Sequence, residues 1–185
     1  MIFVSFSSAY VVRQGLPTLD PRTNALLHDW FPVPLPRLLL INTAVLLISG
    51  FTMELARRQA ARKALAQFSS IPGVVVDGKD EISWLALTVV LGLSFLAGQW
   101  MVWRELAASG FYVASSPSSS FVYLLTGMHG VHLFGGVVAL LTAGVASLWR
   151  WRIDSQAIAV DVTGWYWHFM TVLWIYILCL LEFVH

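Results

Sequence analysis

Four runs of roughly twenty or more residues, almost free of charge, constrain this chain before anything else. They fall at about 36–56, 82–103, 119–148 and 162–184. A hydrocarbon core about 30 Å thick takes about 20 apolar residues to cross as an α-helix. Backbone N–H and C=O groups cannot stay unpaired in lipid, so each run is expected to be helical. The runs are too continuously apolar for the alternating strands of a membrane barrel. Of 185 residues, 58% are hydrophobic and 11% are Asp, Glu, Lys or Arg, whereas soluble domains carry about 25% charged residues. The expected fold class is all-α: a polytopic membrane helix bundle forming a single membrane domain over 1–185. The third run is long enough to tilt or to project from the bilayer.

Tryptophan marks the edges of these runs. Trp84 opens the second, and Trp100 and Trp103 close it; Trp149 and Trp151 follow the third; Trp165 and Trp167 open the fourth. Amphipathic rings favour the headgroup level. The apolar stretch at about 1–13 is different: it is half a span, stopped by Arg13, and reads as the second half of a helix. It lacks the basic start and small-residue cleavage site of a signal peptide. Pro17, Pro21, Pro32, Pro34 and Pro36 make the next segment an extended crossing over one surface.

Charge sets the orientation. Arg57, Arg58, Arg62, Lys63, Lys79, Arg150 and Arg152 fall on one face, and Arg13, Arg22, Arg37 and Arg104 on the other. The basic excess places loops 57–81 and 149–161 in the cytoplasm and the C-terminus outside. A net charge of +1 gives no reason to expect a nucleic-acid partner. Cys179 is the single cysteine, so no disulfide forms within the chain, and it reads as packing material.

The residues able to carry chemistry are few. His129 and His132 lie three apart on the third run, which puts them on one side of a helix, with Gly136 one turn further along. The glycines there permit close helix approach. His168 follows Trp167 near the start of the fourth run. Imidazole is the commonest metal ligand, so one reading is a small heme- or copper-binding membrane cytochrome using His129, His132 and His168. The plainer reading is that each imidazole forms a hydrogen bond between helices, sparing an unpaired polar group in lipid. Depth agreement between His132 and His168 is not assured by sequence. Glu54 precedes Arg57 and Arg58 by three and four residues, the spacing of helical ion pairs; its sharper reading is a partner contact or a proton-related group. Glu105, beside Arg104 at the end of the second run, is a second candidate of that kind. No G-x-S-x-G, phosphate loop or HExxH occurs, so nothing proposes a hydrolytic site. A transporter would want paired broken helices around a midplane site, and none is visible.

Several motifs go further together. Phe121 to His132 reads FVYLLTGMHGVH, followed by Gly135-Gly136, and resembles the FxxxTGxHGxHxxxG signature of heme-copper oxidase subunit III. Tyr166-Trp167-His168-Phe169, with Trp174 beyond, resembles that family's YWHF(V)DxxW motif. Leu35-Pro36, Asn42-Thr43 and Leu46-Leu47-Ile48-Ser49 are similar to its LP…NT…LLxSS helix, and Ser8-Ala9-Tyr10-Val11-Val12-Arg13 to its SAYxVR. The order is the family's and the cover nearly complete.

The resemblance implies an accessory helical subunit beside catalytic subunit I and other subunits of a bacterial cytochrome c or quinol oxidase, in the inner membrane. It implies a part in oxygen reduction coupled to proton pumping without a catalytic centre here, no heme or copper on this chain, bound phospholipid, and support of proton uptake and turnover stability. His129, His132, Gly136, Trp167, His168 and Trp174 then become helix-packing and lipid-contact candidates. Two departures matter. The family's Asp two residues after the Phe of WHF is Thr171 here. The family's SExMFF, which precedes SAY, meets the chain only at Met1, so we expect either a start at an internal methionine or a member that lost half a helix.

Overall fold

The computed structural model describes residues 2–19, 26–27, 36–68, 79–113, 115–148 and 153–183. Five helices dominate: α1 (Ile2–Gln14), α2 (Leu38–Phe68), α3 (Lys79–Ala108), α4 (Pro117–Leu148) and α5 (Ile153–Phe183). A two-residue antiparallel pairing joins β1 (Thr18–Leu19) to β2 (Leu26–Leu27), with Thr18 opposite Leu27. Loop 149–152 and most of loops 20–35 and 69–78, where Trp149, Trp151, Arg22 and four of the loop prolines fall, lie outside the described residues.

The helices outrun the apolar runs that seed them. α2 continues past position 56 because Arg, Gln, Ala, Lys and Leu at 57–67 all favour helix. The stretches long and apolar enough to cross a membrane are Leu38–Arg62, Trp84–Ala108, Pro117–Val145 and Ala157–Phe183. The shortest holds 25 residues, roughly 38 Å of helix at 1.5 Å per residue. The chain is a multi-pass membrane protein.

Sharp signals end α3 and begin α4. Gly110 takes a left-handed φ of 88°, and the Phe111 N–H reaches the Leu106 carbonyl at 3.0 Å while the Gly110 N–H reaches Ala107. This is the Schellman closure, which glycine makes without strain. α4 opens on Pro117, whose missing N–H costs nothing at a first turn. Ser116 caps it: the Ser119 N–H donates to Ser116 Oγ at 3.2 Å, and the Ser116 N–H donates to Ser119 Oγ at 3.2 Å.

The helices alternate in direction, and α2, α3, α4 and α5 close a ring in which each packs on the next and α5 returns to α2. α1 lies outside this ring along α4. Phe3 meets His132 edge-on at 5.5 Å, and Tyr10 meets Phe121 at 5.7 Å. The ring's centre holds Leu46, Met53, Phe95, Leu125, Leu133, Leu140, Trp167, Trp174 and Ile177, all buried. Its outer surface is equally apolar, with Ile41, Phe51, Val90, Val131, Phe169 and Val172 more than half exposed. Such a belt would be an association hazard in water and is the proper surface in lipid.

Candidate functional site

Inside an apolar bundle the informative groups are the polar ones. A neutral seam runs down the middle of the ring. Trp167 Nε1 donates to Ser49 Oγ at 3.1 Å, and Trp174 Nε1 donates to Thr43 Oγ1 at 3.0 Å. Both bonds tie α5 to α2, two turns apart. On the other side of α2, Asn42 Nδ2 donates to the Phe95 carbonyl at 3.1 Å, Ser49 Oγ reaches the Thr88 carbonyl, and the Thr52 and Thr88 hydroxyls meet at 2.9 Å. Asn42, Ser49, Thr52 and Thr88 are all buried. Each hydroxyl or amide thus finds a partner where no water competes.

Trp167 is the keystone of that seam by shape. It is fully buried. A Cβ added at Gly92 of α3 would come within 2.7 Å of its ring, and one at Gly136 of α4 within 3.3 Å. The two glycines open the space that the indole fills, so α2, α3, α4 and α5 all touch one side chain.

The histidines take three separate environments. His129 is fully buried, tilted against Trp174 at 4.9 Å and edge-on to Phe95 at 5.9 Å. Neither of its ring nitrogens has a hydrogen-bond partner among the described residues. His132 turns toward α1, and its Nδ1–H donates to the Met128 carbonyl of its own helix at 2.7 Å. The Tyr166 hydroxyl donates to the His132 carbonyl at 2.9 Å. His168 faces α2, with Nε2 3.5 Å from Glu54 Oε2.

Three expectations are corrected by this arrangement. The imidazoles do not converge. It is Tyr166 and not His168 that reaches His132; two residues further on, His168 points about 160° away from Tyr166 around the helix, toward α2. His129 and His132 likewise meet different neighbours, since a three-residue step leaves them about 60° apart. The interhelical hydrogen bonds expected of all three reduce to the His168 approach to Glu54. His129, His132 and His168 therefore do not form one shared donor set, and no group of three His, Cys, Asp or Glu able to hold a metal ion exists among the described residues.

A charged corner lies at the α2–α5 end away from the seam. Arg57 Nε sits 2.9 Å from Glu54 Oε2, Arg58 Nε 2.7 Å from Glu54 Oε1, and Arg57 Nη1 3.1 Å from Asp161 Oδ1. Arg57 also stacks over Trp165 at 5.2 Å. The spacing of Glu54 from its two arginines announced the first two pairs. The meeting of α2 with Asp161 and His168 was missed, because over a hundred residues separate them and no pattern connects them. Glu105 is exposed on α3 and joins none of this.

Together the geometry defines a class: a polytopic membrane bundle locked by intramembrane tryptophans, with a central seam of polar groups bonded between helices. The model of the cytochrome c oxidase subunit III family matches residues 1–184. The chain belongs to that family. It is 29% identical over 163 residues to the probable cytochrome c oxidase subunit 3 of Nocardia farcinica, covering 84% of this chain and 72% of that protein. The probable cytochrome c oxidase subunit 3 of Mycobacterium bovis is 35% identical over 101 residues, covering 55% of this chain and 50% of its own. Cytochrome c oxidase subunit 3 of Danio rerio is 32% identical over 163 residues, 88% of this chain and 51% of that one. The chain therefore spans about half the length of the latter two relatives.

Proposed function

We propose that the chain serves as the subunit III-type accessory component of a bacterial heme-copper terminal oxidase. It packs against catalytic subunit I in the inner membrane, contacts phospholipid, and supports oxygen reduction coupled to proton pumping. Heme and copper belong to the partner. Loops 57–81 and 149–161 face the cytoplasm and the C-terminus faces outside, as the basic residues favour. Family membership supports the oxidase assignment. The observation that carries the accessory role is the seam itself: Trp167, Trp174 and the buried hydroxyls of Ser49, Thr52 and Thr88 bond to partners on neighbouring helices, which suits a scaffold.

The test is purification of the chain from its native membrane in mild detergent, followed by subunit identification and an optical spectrum. A heme-containing catalytic subunit should co-purify, and the heme signal should vanish when this chain is separated. Heme or copper remaining at one per chain after separation would overturn the accessory role.

A further inference from the structure

We propose that the cleft between the end of α3 and the start of α4 is a specific site for one anionic glycerophospholipid, its phosphate on Arg104 and an acyl chain along the aromatic wall below. The cleft has a volume of about 760 Å³. Its wall is continuous: the Trp100 and Trp103 rings lie 6.3 Å apart, and Trp103 and Tyr123 lie 6.3 Å apart. Leu124 and Tyr112, the latter of the α3–α4 turn, also line it.

Several of the wall's polar atoms are already bonded within the protein. Trp103 Nε1 donates to Thr126 Oγ1 at 3.1 Å. The Tyr123 hydroxyl lies 3.2 Å from the Trp103 carbonyl and 3.0 Å from the Phe111 carbonyl and places its proton there. Ser120 Oγ donates to the Val113 carbonyl. Arg104 is the charged group lining the cleft, is exposed, and has no ion-pair partner among the described residues. An apolar slot with one unneutralised guanidinium selects an anionic amphiphile, and guanidinium matches phosphate by paired hydrogen bonds.

The order of groups along the cleft chooses a lipid over a neighbouring helix. Tyr112 and Arg104 lie toward the turn, whereas Trp100 and Leu124 lie one turn of helix deeper in the span. The charge therefore sits at the membrane surface and the apolar wall runs inward, which is the polarity of a lipid.

The proposal rests on the phospholipid contact proposed above and assigns it a place and a headgroup class. The oxidase complex containing the chain, stripped in mild detergent, is titrated with dioleoylphosphatidylglycerol and with the matching phosphatidylcholine, and bound lipid is counted by native mass spectrometry. Wild type should bind the anionic lipid saturably and in preference. Arg104→Gln should weaken that binding about fivefold to tenfold and abolish the preference, and Arg104→Lys should keep most of the preference. Ala107→Leu, which narrows the slot, should weaken both lipids alike, with the chain still retained in the complex. Unchanged anionic-lipid binding in Arg104→Gln and Ala107→Leu would overturn this site while leaving lipid contact elsewhere standing. No saturable lipid on wild type would overturn both. A photo-crosslinker at Val113 that captures a polypeptide in place of lipid would also overturn it.

Discussion

The middle of the bundle and its charged corner solve the same problem in opposite ways. Both join α2 to α5. In the middle, Ser49, Thr43, Trp167 and Trp174 use neutral hydrogen bonds inside a tight fit, and every one of these polar atoms is matched. At the corner, Glu54, Arg57, Arg58 and Asp161 use full charges that stay partly exposed: 23% for the Glu54 side chain and 54% for Asp161. Isolated charge is prohibitive deep in hydrocarbon and tolerable near the headgroups. The seam is thus expected to fail by loss of shape, and the corner by loss of charge balance.

The sharpest way to break the comparison is Trp167→Ala. Removing a buried α5 indole that touches three other helices leaves a cavity and strips the Ser49 hydroxyl of its donor. We expect a loss of about 3–5 kcal/mol, seen as early thermal unfolding of the purified protein in detergent and loss of the chain from its complex. Trp167→Phe should retain much of the packing and lose about 1 kcal/mol for the hydrogen bond. If both variants lost the same amount, the bond and not the fit would hold the seam.

Gly92→Ala probes that fit from the opposite helix. Its Cβ would sit 2.7 Å from the Trp167 ring and 3.3 Å from Val137 Cγ2, so overpacking of about 1–3 kcal/mol is expected. Pairing it with Trp167→Phe tests the cause, because the smaller ring frees the space. A cost unchanged in the double variant would mean that Gly92 is needed for something other than the indole.

The corner responds to charge at constant size. Glu54→Gln leaves Arg57 and Arg58 without their shared carboxylate and removes the anion beside His168. About 2 kcal/mol should be lost, with a partial return at high salt, where arginine repulsion is screened. A loss insensitive to salt would place the cluster in a dry interior, like the seam.

What sequence made legible follows the same division. Four spans, their edges and the tryptophan and histidine motifs were readable because a bilayer imposes length and hydropathy on every crossing helix. Glu54 with Arg57 and Arg58 was readable because the partners share a helix turn. The separate fates of His129, His132 and His168 were not, because the facing of each ring depends on which neighbour packs beside α4 and α5. Nor was the extent of α2 and α5 beyond their apolar runs, since the apolar length sets a minimum and helix propensity then carries the backbone on. The Trp167 fit needed three sequence-distant elements, Ser49, Gly92 and Gly136, to be brought together before its size meant anything.

The smallest expected effect settles where the corner sits. Asp161 is bonded to Arg57 across the α2–α5 contact at 3.1 Å, yet its side chain is 54% exposed. Near the headgroups such a pair is worth about 0.5 kcal/mol, because water solvates each partner almost as well as the other does. Asp161→Asn should therefore shift the unfolding temperature only slightly, and a double-mutant cycle with Arg57→Gln should return a coupling of that size, shrinking as salt is added. A coupling several times larger and indifferent to salt would mean that hydrocarbon reaches past Asp161 toward the start of α5. The charges would then be held in lipid by one another, and the difference between corner and seam would be one of chemistry alone and not of depth.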